Sequence, residues 1–305
     1  MKNATKAHIA VLLTNLFFAV NYSFIKLISP ALVKPFGLNV YRVGISLLLF
    51  WMVWLFGKTA PGIKKEHVGR FLLCGLTGIA INQSLFINGL TMTSTVHASL
   101  LMLTTPLLIT IFAFFVLKEA LTLLKITGLL LGVSGAALLI MAKESEMHAS
   151  NYLLGDILIF SNAISYSIYF ILVKPLMQSY SPLHVVRWVF TIGFFMILPF
   201  GWLEAETVHF DQFETKQFIY LALIVLTGTF LAYYFTAYGL QHLGAGKTGA
   251  YIYTQPVFAF LFAAFLLSET LSVQKILAAC LIFTGVYIVT LSKPKKKLHK
   301  HLEKI

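Results

Sequence analysis

Charge is scarce in this chain, and acidic charge scarcest: 11 % of its 305 residues are charged, with 11 Asp and Glu against 23 Lys and Arg. A soluble domain carries about 25 % charged residues, so the deficit excludes a water-soluble globular enzyme. Cysteine is nearly absent. Cys74 and Cys280 sit in separate apolar runs without metal-ligand spacing, and read as small packing residues that say nothing about redox compartment. No cluster of His, Asp and Glu at ligand spacing occurs, and no nucleophile stands beside a base. No metal, cofactor or catalytic centre is therefore expected, and the chain does not read as an enzyme.

What the chain has instead is apolar length: 58 % of its residues are hydrophobic and its mean hydropathy is +0.84. A hydrocarbon layer of about 30 Å needs about 20 helical residues to cross. Ten runs of that kind are predicted, at 8–28, 36–56, 68–90, 94–117, 121–142, 153–174, 182–204, 216–241, 246–268 and 271–291. The first is too long for a signal peptide and no small-residue cleavage site follows it, so it reads as a retained span. The loops are too short for a domain outside the bilayer, which confines the function to the helix bundle.

The net charge of +12 is concentrated at the end, where KPKKKLHKHLEKI holds six lysines in thirteen residues. A tail of that length makes a poor nucleic-acid surface, and no nucleic-acid partner is expected. Placing the N-terminus in the cytoplasm puts seventeen of the 23 Lys and Arg on that side. The asymmetry favours both termini inside.

Gly244 to Thr248 spells GAGKT, the end of a phosphate-binding loop. The full G-x-x-x-x-G-K-[ST] loop requires a glycine at position 241, where Gln241 stands, and a strand before it. The stretch falls in the turn between the eighth and ninth spans, so no nucleotide hydrolysis is expected.

A repeat organises the ten spans. At an offset of 150 residues TTPLLITIFAFFVLKEALTLLKI, from Thr104, matches TQPVFAFLFAAFLLSETLSVQKI, from Thr254. Pro106 meets Pro256, Glu119 meets Glu269, Gly78 meets Gly228 and Gly135 meets Gly285. With small shifts Lys26 meets Lys174 and Arg42 meets Arg187, and His97 falls opposite Lys247. Each half holds five spans, and five is odd, so the second half threads the membrane in the opposite sense. The expected fold is an all-α integral membrane protein: ten transmembrane helices in two inverted five-helix repeats, at 1–147 and 148–292, followed by a basic cytoplasmic tail at 293–305.

The ten-span pattern, the twice-occurring proline-to-glutamate junction and the glycines after it resemble the EamA branch of the drug/metabolite transporter superfamily. The resemblance covers the chain from about residue 8 to 291. It implies movement of small metabolites, often amino acids and usually outward, across a bacterial inner membrane. Proton-coupled exporters of organic cations in that superfamily use a buried carboxylate in the first span. Asn15 and Asn21 stand there instead, which disfavours a multidrug cation antiporter.

Polar residues inside a span are costly unless they face protein or water, so their spacing points to a cavity. Asn15 and Tyr22 share a face of the first span, and Asn162, Tyr166 and Tyr169 share one of the sixth. With Asn82, Tyr234, Tyr238, Tyr251 and Gln255 they form the candidate substrate-binding set. The alternative for each is an interhelical hydrogen bond or an interfacial tyrosine. Pro106 and Pro256 are candidate hinges or tolerated bends. His97 and Lys247 are candidate gate residues at the mouths of the two half-channels, with His97 expected as a hydrogen-bonded interfacial side chain. Glu119 and Glu269 read as junction-holding residues, and Gly128 and Gly132 as a packing motif. The partners expected are a small-molecule substrate, the lipid bilayer and a second copy in a homodimer. A nucleotide-sugar exchanger would want several cations deep in the cavity, whereas Lys26, Arg42, Lys174, Arg187 and Lys247 are all expected near span ends. A non-transporting membrane scaffold is the remaining alternative.

Overall fold

The computed structural model describes residues 2–56, 62–117, 122–141, 151–267 and 272–291. Among them the chain is helical and forms no strand. Glu119, Glu269 and the lysine tail lie outside the described residues.

The first half begins with α1 (Lys2–Ile28) and α2 (Pro35–Leu55). The third span is one long run made of α3 (Val68–Gly75), a π-helical stretch at Leu76–Ala80 and α4 (Ile81–Met92). The fourth divides into α5 (Thr95–Met102) and α6 (Thr105–Leu117), and α7 (Leu123–Met141) closes the half. In the second half come α8 (Tyr152–Ser179) and α9 (Pro182–Glu206). Next is α10 (Thr215–Val225), a π-helical stretch at Leu226–Leu231 and α11 (Ala232–Ala250). A 3-10 turn at Tyr251–Thr254 leads into α12 (Gln255–Leu267), and α13 (Val273–Leu291) follows.

Seven of these runs are long and apolar enough to cross a bilayer: Ala4–Ile28, Pro35–Leu55, Lys65–Met92, Thr95–Val116, Tyr152–Ser179, Pro182–Glu206 and Thr215–Gly244. The other three predicted spans fall on α7, α12 and α13. The ninth span is broken as the fourth is: helix continues from the Gly244 kink to Ala250, a 3-10 turn follows at Tyr251–Thr254, and α12 has 13 residues. The prolines explain part of this. Pro106 and Pro256 each take the second position of a half-helix, α6 and α12, where a missing N–H is tolerated. The preceding turn is irregular in both cases.

Helix ends are closed by residues the sequence supplies locally. Ser94 accepts from the backbone N–H of His97, and Ser181 from that of His184 just ahead of Pro182. Glu214 and Gln217 form a reciprocal capping box at the start of α10, the arrangement that satisfies two orphan donors at once. Along α11, Gly244 has φ 80° and ψ 166°, a conformation open to glycine and hostile to other residues. GAGKT is therefore a helix-to-helix turn hinged on its first glycine.

The direction of the repeat can be read from the glycines. Phe36 and Gly37, at the start of α2, donate their N–H groups to Glu204 Oε2, at the end of α9, at 2.8 and 3.1 Å. Further along, Trp51 Nε1 donates to Thr191 Oγ1, 3.1 Å away, near the start of α9. The two helices are repeat equivalents, and they run antiparallel. α7 and α13 do the same: Gly135 lies against Ala278 and Ile282, while Gly285 lies against Gly128 and Gly132. A Cβ at Gly285 would come 2.5 Å from the Gly128 carbonyl oxygen, so Gly128 and Gly132 serve backbone approach. Equivalent helices passing in opposite directions are what an axis lying in the membrane plane requires. The halves are also interlocked. α1 packs on α11 and α12 of the other half, and α8 on α4 and α6 of the first.

The outer surface of the bundle remains apolar, with Leu48, Phe195, Phe200 and Leu203 all exposed. In a multi-pass membrane protein this is the face that meets lipid.

Candidate functional site

The centre of the bundle is built from the same crossing made twice. Thr14 on α1 donates to the Ala232 carbonyl, 3.4 Å away. Asn162 on α8 donates to the Asn82 carbonyl, 2.7 Å away. Asn82 and Ala232 are equivalents at the 150-residue offset, and Thr14 and Asn162 correspond in the Lys26–Lys174 alignment. Beside each crossing lies a π-helical stretch. Such a stretch inserts an extra residue into the α ladder and leaves a carbonyl without its usual donor. Side chains reach carbonyls in and just before these stretches: Ser165 Oγ donates to Thr77 O at 2.7 Å, Thr229 Oγ1 to Ile224 O at 2.9 Å, and Arg42 to Gly228 O at 3.4 Å. The glycine in each stretch lets a neighbouring helix close in. Gly78 sits under the Tyr169 ring, and a Cβ at Gly228 would overlap the Asn21 amide.

Between the crossings is a cavity with about 620 Å³ of free space, counted out to its open mouth. α1 contributes Thr14, Asn15, Phe18, Asn21 and Tyr22, and α2 contributes Arg42. Asn82, Gln83 and Phe86 come from α4, Met102 from α5, and Asn162, Tyr166 and Phe170 from α8. The second half adds Gly228, Tyr233, Thr236, Thr248, Ile252 and Gln255. A chain of hydrogen bonds joins part of this wall. Gln255 Nε2 donates to Asn15 Oδ1 at 2.7 Å, and the Tyr22 hydroxyl donates to Gln255 Oε1 at 2.9 Å. Gln83 donates to the Tyr233 hydroxyl, which donates to Asn82 Oδ1 at 3.2 Å. Rings fill the gaps: Tyr22 lies 5.1 Å from Phe86 and Tyr166 4.8 Å from Phe170, centroid to centroid.

Of the ten side chains expected at a cavity, Asn15, Tyr22, Asn82, Asn162, Tyr166 and Gln255 come together on this wall. Tyr169 is buried behind it, stacked on Tyr166. Tyr234 packs beside Phe235, Tyr238 against His242, and the Tyr251 hydroxyl meets His8 Nδ1 at 2.7 Å. On the eighth span Tyr233 and Thr236 line the cavity, not Tyr234 and Tyr238. Thr14 and Phe18 were within reach of the sequence, because they continue the Asn15 and Tyr22 face at helical spacing.

Arg42 and Arg187, expected near span ends, are the eighth residue of α2 and the sixth of α9, and both are buried, at 2 % and 0 % exposed. Arg42 lies two turns into α2, on the cavity wall, with Nε donating to Thr229 Oγ1 at 3.0 Å. The Arg187 guanidinium carbon lies 4.6 and 4.4 Å from the ring centroids of Trp51 and Trp54, a cation-π arrangement. His97, the third residue of α5, has the hydrogen bond expected of it. It is wholly buried, with Nδ1 2.9 Å from Asp156 Oδ2, and Asp156 Oδ1 accepts from Thr93. This cluster and the two prolines lie off the cavity wall. Lys247 follows the Gly244 turn in α11, and its side chain lies outside the described residues.

The EamA-like transporter family model matches residues 5–141 and 153–291. The chain is 25 % identical over 249 residues to the uncharacterized transporter YetK of Bacillus subtilis, covering 81 % of this chain and 76 % of that one. It is also 25 % identical over 323 residues to the protein WALLS ARE THIN 1 of Arabidopsis thaliana, covering 94 % and 80 %. A crystal structure superposes with a TM-score of 0.62 at 18 % identity, over 95 % of this chain and 97 % of that one, and so shares the fold. With its two matched segments taking in both halves of the bundle, this chain belongs to the EamA-like transporter family.

Proposed function

We propose that this protein is a secondary transporter that holds one small organic solute in the central cavity and exposes it alternately to the two sides of the membrane. The observation that carries the reading is the make-up of the cavity wall, where α1, α4, α8 and α11, drawn from both inverted halves, face one space. Rocking of one half against the other around such a site opens one mouth as it closes the second. Amides and phenols supply directed hydrogen bonds and the rings supply apolar contact. That combination suits an amino acid or a related metabolite, and a single cation on the wall among the described residues argues against a nucleotide sugar. Export across a bacterial inner membrane follows the family resemblance, with both termini cytoplasmic as the basic-residue asymmetry favours.

The test is counterflow in proteoliposomes containing the purified full chain, preloaded with a mixture of amino acids and challenged with each labelled species. Accumulation of at least one label above protein-free vesicles is expected. Counterflow of none, amino acids and related acids alike, would leave the scaffold reading in its place.

A further inference from the structure

Arg42 carries a charge that its surroundings do not balance. A guanidinium has five N–H donors. Nε is used by Thr229 and Nη2 by the Gly228 carbonyl, but Nη1 is buried without a hydrogen-bond partner. The acidic residues among those described are all engaged elsewhere or exposed. Asp156 serves His97 and Thr93, and Glu204 serves the start of α2. Glu214 pairs with Lys216, Asp211 lies near His209 and Glu66 near His67, while Glu206 is exposed at the end of α9. None lines the cavity, and among the described residues Arg42 is the one basic residue on its wall.

The repeat supplies a control. Arg187, the equivalent residue, has its cation against the faces of Trp51 and Trp54, with Trp188 5.8 Å away. Among the described residues Arg42 has no ring contact and no carboxylate. A buried guanidinium left so is strongly unfavourable. Holding the Gly228 carbonyl and the Thr229 hydroxyl would require only a neutral donor. The charge must answer to something that enters the cavity.

We propose that Arg42 is the anchor for a substrate carboxylate, and that the solutes carried are monocarboxylic acids with an apolar body, with or without an α-amino group. This rests on the transporter reading of the cavity. A carboxylate is planar and presents two acceptors, the shape a guanidinium edge meets best. The amide oxygens of Asn21, Gln83 and Asn162 are buried on the same wall without hydrogen-bond partners. They are neutral acceptors for an ammonium, an N–H or a hydroxyl. With no acidic residue on the wall among those described, an ammonium gains no ion pair there, so the carboxylate is required and the amine is dispensable. Phe18, Phe86 and Phe170 receive the apolar body.

Three near-isosteric probes test this on the purified full chain: L-phenylalanine, 3-phenylpropanoate, which lacks the amine, and phenylalaninamide, which lacks the carboxylate. Both acids should stabilise the protein against heat and compete in counterflow. The amide should bind about tenfold to a hundredfold more weakly, the loss expected for a charged hydrogen-bonded pair. Arg42→Gln should lower the affinity for both acids by the same factor and leave that for the amide unchanged, with Arg42→Lys intermediate. Should Arg42→Gln fail to fold, the acid-to-amide comparison on the unaltered protein decides. The anchor is overturned if the amide binds as well as the acids, if Arg42→Gln keeps its acid affinity, or if neither acid binds. Movement of another solute, indifferent to Arg42→Gln, would sink the anchor alone; movement of none would sink the transporter reading as well.

Discussion

Gln83 and Tyr233 occupy the same position in the two repeats, and their side chains are hydrogen bonded to each other across a separation of 150 residues. Equivalent positions can touch only where the symmetry axis passes, so the axis runs through the cavity wall at this pair. The Tyr233 hydroxyl accepts from Gln83 and donates to Asn82. Tyr233→Phe should cost about 1–3 kcal/mol of stability, the penalty for stranding buried amides, seen as a lower melting temperature in detergent. Gln83→Leu added to Tyr233→Phe should cost less than the sum of the two changes, and additivity would show that the contact carries no energy.

The π-helical stretches depend on their glycines. An added methyl at Gly228 meets the Asn21 amide, which donates to the Ile224 carbonyl one turn back at 3.4 Å. Gly228→Ala should destabilise by about 1–3 kcal/mol, the usual cost of overpacking. Asn21→Ala in the same chain should restore part of the loss. Equal melting temperatures for the single and double variants would contradict the close approach.

His97 and Asp156 are sealed from solvent as a pair. Removing one partner of a buried pair strands the other, at about 3–5 kcal/mol. Asp156→Ala should therefore lower the melting temperature far more than Glu206→Ala, at an exposed position of α9. Similar melting curves for the two variants would argue that the pair adds nothing to the fold.

Gly244 has nothing within 4 Å of where a Cβ would stand. Any loss on Gly244→Ala must then come from the backbone, at about 1–3 kcal/mol for a non-glycine residue held at positive φ. A variant with unchanged melting temperature would mean that the turn can relax to another conformation.

Much of this was legible in the sequence, for a stated reason. Apolar length and the 150-residue register are properties of the chain itself, and five spans per half force the inversion that Gly37, Glu204 and Gly285 make visible. The cavity face of α1 was legible because that helix is uninterrupted from Asn15 to Tyr22. The face of α11 was not. Tyr233 and Tyr234 are neighbours, and polar residues at helical spacing do not say which face of α11 turns inward. The place of Arg42 on the cavity wall was not legible because distance from a span end says nothing of direction, and α2 aims it at Thr229 and Gly228. The burial of His97 was not legible because its partner, Asp156, comes from α8, 59 residues further along, where no local pattern couples the two.

The two repeat-equivalent arginines end in different company, one clasped by indoles and one turned towards the central cavity. In a pair of identical subunits those environments would have to be the same, so any residue tuned to grip a ligand on one side would be duplicated, at equal burial, on the other. Carrying both copies on one polypeptide lifts that constraint. One arginine can be given over to fastening α2 against α9, and its twin is freed for chemistry.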